Sequence, residues 1–363
     1  MDGRLTARAP LLAVTAILLL AGTQAPSLSA GVVSPAPTEK IPAAAPDSLD
    51  DPIAAEDDTL VVRNGDTTDV HRATGPHAWD REAEISPPSE ASEWFGWSID
   101  VDGDRIAVGD PVTDGSRGAV FVYERSVGEG WVHTQTLHPD DTEYAWFGET
   151  VVAEDDHIAV AAPDDGTGPA AYRGVVYVFD SSGDRLSLEA KLSAEDSTGE
   201  DLGMDAGNVV FEGSHDLYAA EDLGSQGWSQ PQTIPAPDGF HVSSIIVEEQ
   251  TMVVDTVCQA CGTFPGASGE MAFYQSTEDG WQIDERRQHD YPMALHGAEA
   301  LVGALFTPEL HERGLDGDWE RQQHLAPFAW GPSELTDSHA LILDEADNAT
   351  YSFALDPVPQ PSP

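Results

Sequence analysis

Basic side chains are nearly missing from this chain. Lys40 and Lys191 are its only lysines, and lysine and arginine together number 16 against 65 aspartates and glutamates, a formal net charge of −49 over 363 residues. Such a surface repels phosphate backbones and anionic lipid headgroups, which argues against nucleic acid or a membrane surface as a partner and makes cations the natural counterparts. The acidic excess fits either a protein bathed in high salt, where screening relieves self-repulsion, or a surface that binds divalent cations. Composition does not separate the two. Cysteine is also scarce: Cys258 and Cys261 are the only pair. After export they are expected to form a local disulfide, which in the entropy model constrains so short a loop by only about 2 kcal/mol. A zinc site would need two more ligands nearby, and none is apparent. No apolar run is long enough to span a bilayer comfortably; residues 11–21 come nearest.

That run, preceded by Arg4 and Arg8 and followed by small residues up to Ala30, reads as a secretory signal peptide over residues 1–30. No cysteine follows it to carry a lipid, and no apolar C-terminal anchor appears. The expected product is secreted or displayed at the cell surface, with no membrane insertion in its mature form. Residues 31–57, rich in proline, alanine and acidic side chains without periodicity, are expected to be a disordered linker, and residues 357–363 a short disordered tail.

Between these segments the chain repeats itself. Trp94-Phe95-Gly96 opens a stretch ending in Gly109-Asp110-Pro111, and Trp146-Phe147-Gly148 opens one ending in Ala161-Ala162-Pro163, at an offset of 52 residues at both ends. A gapless self-match of that period in strand-rich sequence signals a stacked supersecondary unit, hence a β-propeller of four-stranded antiparallel blades over residues 58–356. In the first complete copy the strands are expected at 96–101, 105–108, 119–123 and 131–137, and in the second at 149–153, 157–161, 175–179 and 186–192. Trp131, Trp228, Trp281 and Trp319 recur at the start of strand four, where a bulky aromatic packs between neighbouring sheets. The ends complement one another: residues 60–85 read as strands two to four, and residues 334–355 as strands one to three. Closure by N- and C-terminal strands follows. If the N-terminal copy is its own reduced blade, there are seven blades, the preferred scheme. If residues 79–85 complete the last blade, there are six.

Phe95-Gly96 with Gly109-Asp110-Pro111, and Phe147-Gly148 with Ala161-Ala162-Pro163, resemble the FG-GAP repeat family, the propeller repeats related to those of integrin α subunits. The resemblance implies extracellular ligand binding or adhesion without catalysis, often with calcium in the blade loops. Asp100, Asp102 and Asp104 supply the alternating oxygens of such a loop. Arg105 and Val108 stand where its glycine and last carboxylate belong, so an ordinary acidic hairpin is the favoured reading. No other cofactor is implied.

The surface expected to bind comprises the loops after strand two, with Asp110, Asp114, Asp164 and Asp165, since long polar loops on one face of a rigid ring are where propellers bind. For any single one of these residues a solvated turn remains the simpler reading. The expected partner is an extracellular protein or glycan, and the chain is expected to be monomeric. Asn348-Ala349-Thr350 fits the glycosylation sequon, with Asn348 the acceptor. The competing readings are a secreted hydrolase using carboxylates from several blades on the propeller axis and a passive envelope component.

Overall fold

The computed structural model describes residues 39–42 and 52–355, except for 76–77, 140–143, 165–173, 182–184, 195–196, 214–215, 237–239, 249, 259–269, 278–279, 289, 305–306, 315–318, 326–332, 337–338 and 345–348.

Alternation builds each blade so that both of its faces are buried. Along the middle strands Arg105–Asp110 and Ala119–Ser126, Ile106, Val108, Phe121 and Tyr123 point to one side. Ala107, Val120 and Val122 point to the other. The first set packs with Ala54, Val61, Val70 and Ile85 of the preceding sheet, and the second with Val151, Ile158, Val160 and Tyr177 of the following one. Seven such clusters occupy the seven junctions between neighbouring sheets. A sheet apolar on both faces is stable only between two others, so the unit must stack.

Seven four-stranded antiparallel sheets result, which we number as blades 1 to 7. Their innermost strands are Ile53–Glu56, Ser98–Asp102, Val151–Glu154, Ser197–Asp205, Phe240–Glu248, Asp290–His296 and Ser333–Leu335. Each contacts the innermost strands of both neighbours, and blade 7 returns to blade 1, so the ring is closed.

Closure differs from both schemes read from the sequence. The fourth strand of blade 7 is Glu39–Pro42, paired antiparallel with Ala349–Ala354, and Ile41 packs with Ile53, Leu60 and Trp79 of blade 1. Ala78–Ile85 pairs with Thr67–Gly75 inside blade 1, which removes the six-blade alternative. Blade 1 is not reduced, because Ile53–Glu56 pairs with Thr59–Asn64 as its first strand. Two strands therefore lie within 31–57, the stretch expected to be a disordered linker, and the propeller begins before residue 58. Each is four residues long and rich in alanine, proline or charge, so its conformation comes from tertiary pairing rather than intrinsic preference.

The repeated Phe-Gly has a mechanical role. Phe95, 1% exposed, seats its ring 5.6 Å from Phe121, and Phe147 sits 5.2 Å from Tyr177. Gly96 and Gly148 follow at φ of 84° and 94°, and each donates its N–H to the matching residue of the second motif, Gly109 or Ala161. A Cβ on Gly109 would lie 2.3 Å from the Gly148 carbonyl oxygen of the next blade, so the small residue is set by close approach of two backbones.

The recurrent tryptophans are packing anchors. Trp281 and Trp319 are buried, and Trp319 lies 4.8 Å from Phe273 of the preceding blade. Trp79 repeats that geometry against blade 7, donating to the Ser352 hydroxyl at 3.2 Å. Trp131 and Trp228 are half-buried against the cores of their junctions.

Candidate functional site

In every blade the turns after strands one and three lie on one face of the ring, and the loops after strand two, with the connections between blades, lie on the other. The expected binding loops fall on this second face. The loop of blade 2 is closed by Asp110, which is fully buried. Its carboxylate accepts the Ser92 N–H and hydroxyl, both at 2.6 Å, and the Thr113 N–H at 3.1 Å. Asp110 is therefore a buried clasp between two loops, not a ligand contact on an open surface.

Beyond the clasp the backbone turns left-handed at Asp114, Gly115, Ser116 and Gly118. For residues other than glycine this conformation costs of order 1 kcal/mol each and persists only where surrounding contacts impose it. Those contacts are present: Ala145 and Trp146 donate to the Ser116 carbonyl, Phe147 donates to Arg117, and Gly118 bridges Phe147. Trp146 is itself left-handed, at φ 54°. Asp114 stands out from this scaffold with its side chain 68% exposed, 3.8 Å from Arg117. Arg117 also donates to the Pro139 carbonyl at 2.9 Å. Across the clasp, Trp94 and Trp97 lie with ring centroids 4.6 Å apart. Asp164 is half-buried, which raises its carboxyl, and its N–H donates to Ala145. Asp165 lies outside the described residues, as do Cys261 and Asn348; Cys258 ends strand Thr251–Cys258, and its side chain is not described.

A second concentration of chemistry, at the propeller axis, escaped residue-level reading of the sequence. The last residue of strand one is acidic in five blades: Glu56, Asp102, Glu154, Asp205 and Glu248. That shared position just before a two-residue turn was the available signal. These groups staple one blade to the next. Glu56 accepts the Gly103 N–H of blade 2, and Glu248 accepts the Gly297 N–H of blade 6 at 2.8 Å and lies 3.0 Å from His296. Asp100 accepts from Val101 and, at 2.7 Å, from Ala153 of blade 3; Asp201 accepts from Leu202 and, at 2.8 Å, from Ile245 of blade 5.

Burial pushes the Asp100 carboxyl up to about 7, with Asp102 and Glu56 adding to the rise and its two backbone donors opposing it. Asp100 and Glu334 still present some surface to water, although protein surrounds both on nearly all sides. Burial likewise raises Glu334, whose charged neighbours are Asp100 and Glu248 from the far side of the ring. Glu56 is raised by burial and hydrogen-bonded to Asp102. Glu154 is raised to about 8 by burial and by a hydrogen bond to Asp205. Between the hairpin turns of blades 4 and 5 lies an open depression of about 690 Å³, lined by Gly207, Asn208, Asp222 and Gln250. It lacks the enclosed, mostly apolar lining of a small-molecule site.

The FG-GAP repeat family profile matches residues 79–123, from the fourth strand of blade 1 through the third strand of blade 2. The chain is a β-propeller carrying an FG-GAP repeat. This FG-GAP propeller is similar in fold to Hsv2 of Kluyveromyces lactis (TM-score 0.54, 10% identity, 88% of this chain and 98% of that one). It is similar also to a protein of Lactobacillus plantarum (TM-score 0.53, 16% identity, 77% and 85%) and to the N-terminal domain of Nup159 (TM-score 0.52, 8% identity, 90% and 99%). At these identities the likeness is one of fold. No curated protein sequence matches the chain.

The calcium loop that the resemblance implied does not assemble around Asp100, Asp102 and Asp104 in the FG-GAP propeller. The first two carboxyls lie at the axis, whereas Asp104 is exposed beyond the turn, 3.8 Å from Arg125. Among the described residues no three His, Cys, Asp or Glu side chains are gathered closely enough to hold a metal ion.

Proposed function

We propose that this protein is an exported, non-catalytic binding module that presents the loop face over blades 2 and 3 to an extracellular protein or glycan. The observation that carries the reading is the loop beyond Asp110, whose left-handed Asp114 and Ser116 are pinned by Ala145, Trp146 and Phe147. A loop held rigid in a costly conformation has its ordering entropy already spent before a partner arrives, which favours recognition. The Trp94–Trp97 pair beside it offers aromatic surface, and the net charge of −49 favours a partner with cationic or polyol character. Immobilised protein is tested against a glycan array and an extract of surface proteins. Retention that falls at least about tenfold for Asp114→Ala and for Trp94→Ala supports the proposal. Equal retention by wild type and both variants overturns it.

The convergence of carboxyls from several blades favours a second reading, a hydrolase in which Glu154 and Asp205 act as proton-sharing acid and base. A screen of glycan and peptide substrates decides it. Turnover abolished by Glu154→Gln supports the reading, and no turnover on any substrate removes it.

A further inference from the structure

At the junctions of blades 1 with 2 and 5 with 6, the carboxylate that ends strand one accepts a backbone N–H from the next blade's hairpin turn. At the junction of blades 3 and 4 the same position is Glu154, and there it meets another carboxyl, Asp205, the last residue of blade 4's first strand. Two carboxyls in hydrogen-bond contact cannot both ionise without placing like charges side by side. We propose that this junction is a proton-held latch, closed while Glu154 and Asp205 share one proton and loosened when both are ionised. The inference rests on neither reading of the function given above.

The surroundings offer the ionised pair little relief. Apart from Asp205, the charged groups facing Glu154 are Asp102 of blade 2 and Asp155 of its own turn, both negative. The guanidinium nearest this group is Arg105, which favours the ionised form of Asp102 and donates to the Asp155 carbonyl. On the blade 4 side, Asp201 is engaged with the Leu202 and Ile245 N–H groups. On the blade 2 side, Asp100 is engaged with Val101 and Ala153, and Asp102 is bonded to Glu56. Burial and the Asp205 bond hold the Glu154 proton up to about 8, so the latch loosens just above neutrality.

The direction follows from linkage. An acid whose folded pKa lies above its unfolded value keeps its proton in the fold, so the folded state is favoured at lower pH. That advantage is lost as pH rises from the ordinary carboxyl range through about 8. The experiment is thermal unfolding of the full mature chain at fixed ionic strength, from about pH 6 to about pH 8.5. Wild type is expected to lose roughly 3–6 °C of Tm over that span. Glu154→Gln and Asp205→Asn, which remove one charge while keeping a polar partner, are each expected to reduce that loss by at least about half. Asp80→Asn, which alters an exposed carboxylate outside the axis, leaves it unchanged. A wild-type Tm that stays flat or rises toward alkaline pH overturns the latch, as does a loss of unchanged size in whichever of the two axial variants folds.

Discussion

Asp110 and the two conserved-looking glycines beside it show how much a single side chain here depends on a neighbour far off in sequence. In the linear chain Asp110 is one acidic residue among many, and its partner Ser92 belongs to another loop, so exposure was the natural expectation. The fold buries it beneath three donors. Asp110→Ala orphans two backbone N–H groups and one hydroxyl and is expected to cost about 2–4 kcal/mol in urea unfolding, with Asp110→Asn costing less. Gly109, by contrast, was legible, because its motif repeats and only a hydrogen fits against the Gly148 carbonyl. Gly109→Ala is expected to destabilise by at least about 2 kcal/mol in the same measurement. Buried histidines set an acid limb of stability opposite in sign to the axial carboxyls. Arg287 donates to His311 Nδ1, which leaves Nε2 to carry the proton toward Glu309, and burial with the Arg287 charge lowers the His311 pKa. Burial lowers His71 too. The unfolded chain therefore takes up protons first, and stability falls as pH drops below about 6.5. His311→Gln is expected to shrink the fall in Tm between about pH 6.5 and about pH 5; an unchanged fall would remove this account of the acid limb.

At the scale of strands and blades, the sequence displayed the strongly alternating middle strands and concealed the short ones. Ile106-Ala107-Val108 and Phe121-Val122-Tyr123 carry their strand identity in their own side chains. Ile53-Ala54-Ala55-Glu56 and Glu39–Pro42 resemble linker composition, because what makes them strands is a partner already in place. Another regularity went unread: Asp69-Val70-His71 with Trp79-Asp80-Arg81 in blade 1 matches Glu309-Leu310-His311 with Trp319-Glu320-Arg321 in blade 6 at an offset of 240 residues. In both blades the arginine pairs with the acid, Arg81 with Asp69 at 2.8 Å and Arg321 with Glu309 at 3.2 Å. These two blades flank the closing one. The closing strand contributes Ile41, 3% exposed, to the junction of blades 7 and 1. Ile41→Ala is expected to cost about 2–4 kcal/mol, read from the denaturant midpoint, whereas a surface position would show almost none of this loss.

Across the whole molecule, repulsion within a chain of net charge −49 opposes compaction, and arginine is too scarce to neutralise it locally. Raising sodium chloride from about 0.1 M to about 1 M shortens the screening length from roughly 10 Å to roughly 3 Å and is expected to raise Tm. A Tm that falls or stays constant over that range would show that repulsion is not a determinant of stability. The seven blade junctions, the axial carboxyls and the loop face over blades 2 and 3 all presuppose one ring of seven blades sealed by the N-terminal strand. Lys40 lies opposite Tyr351 in that seal. Directly opposed residues of antiparallel strands hold their Cα atoms about 4.5–5.5 Å apart, within the range a disulfide spans. Cysteines placed by Lys40→Cys and Tyr351→Cys, in a chain carrying Cys258→Ser and Cys261→Ser, are expected to oxidise to one intramolecular disulfide, seen as the loss of two hydrogens in intact mass. Two free thiols persisting in the folded, oxidised protein would contradict the closed ring.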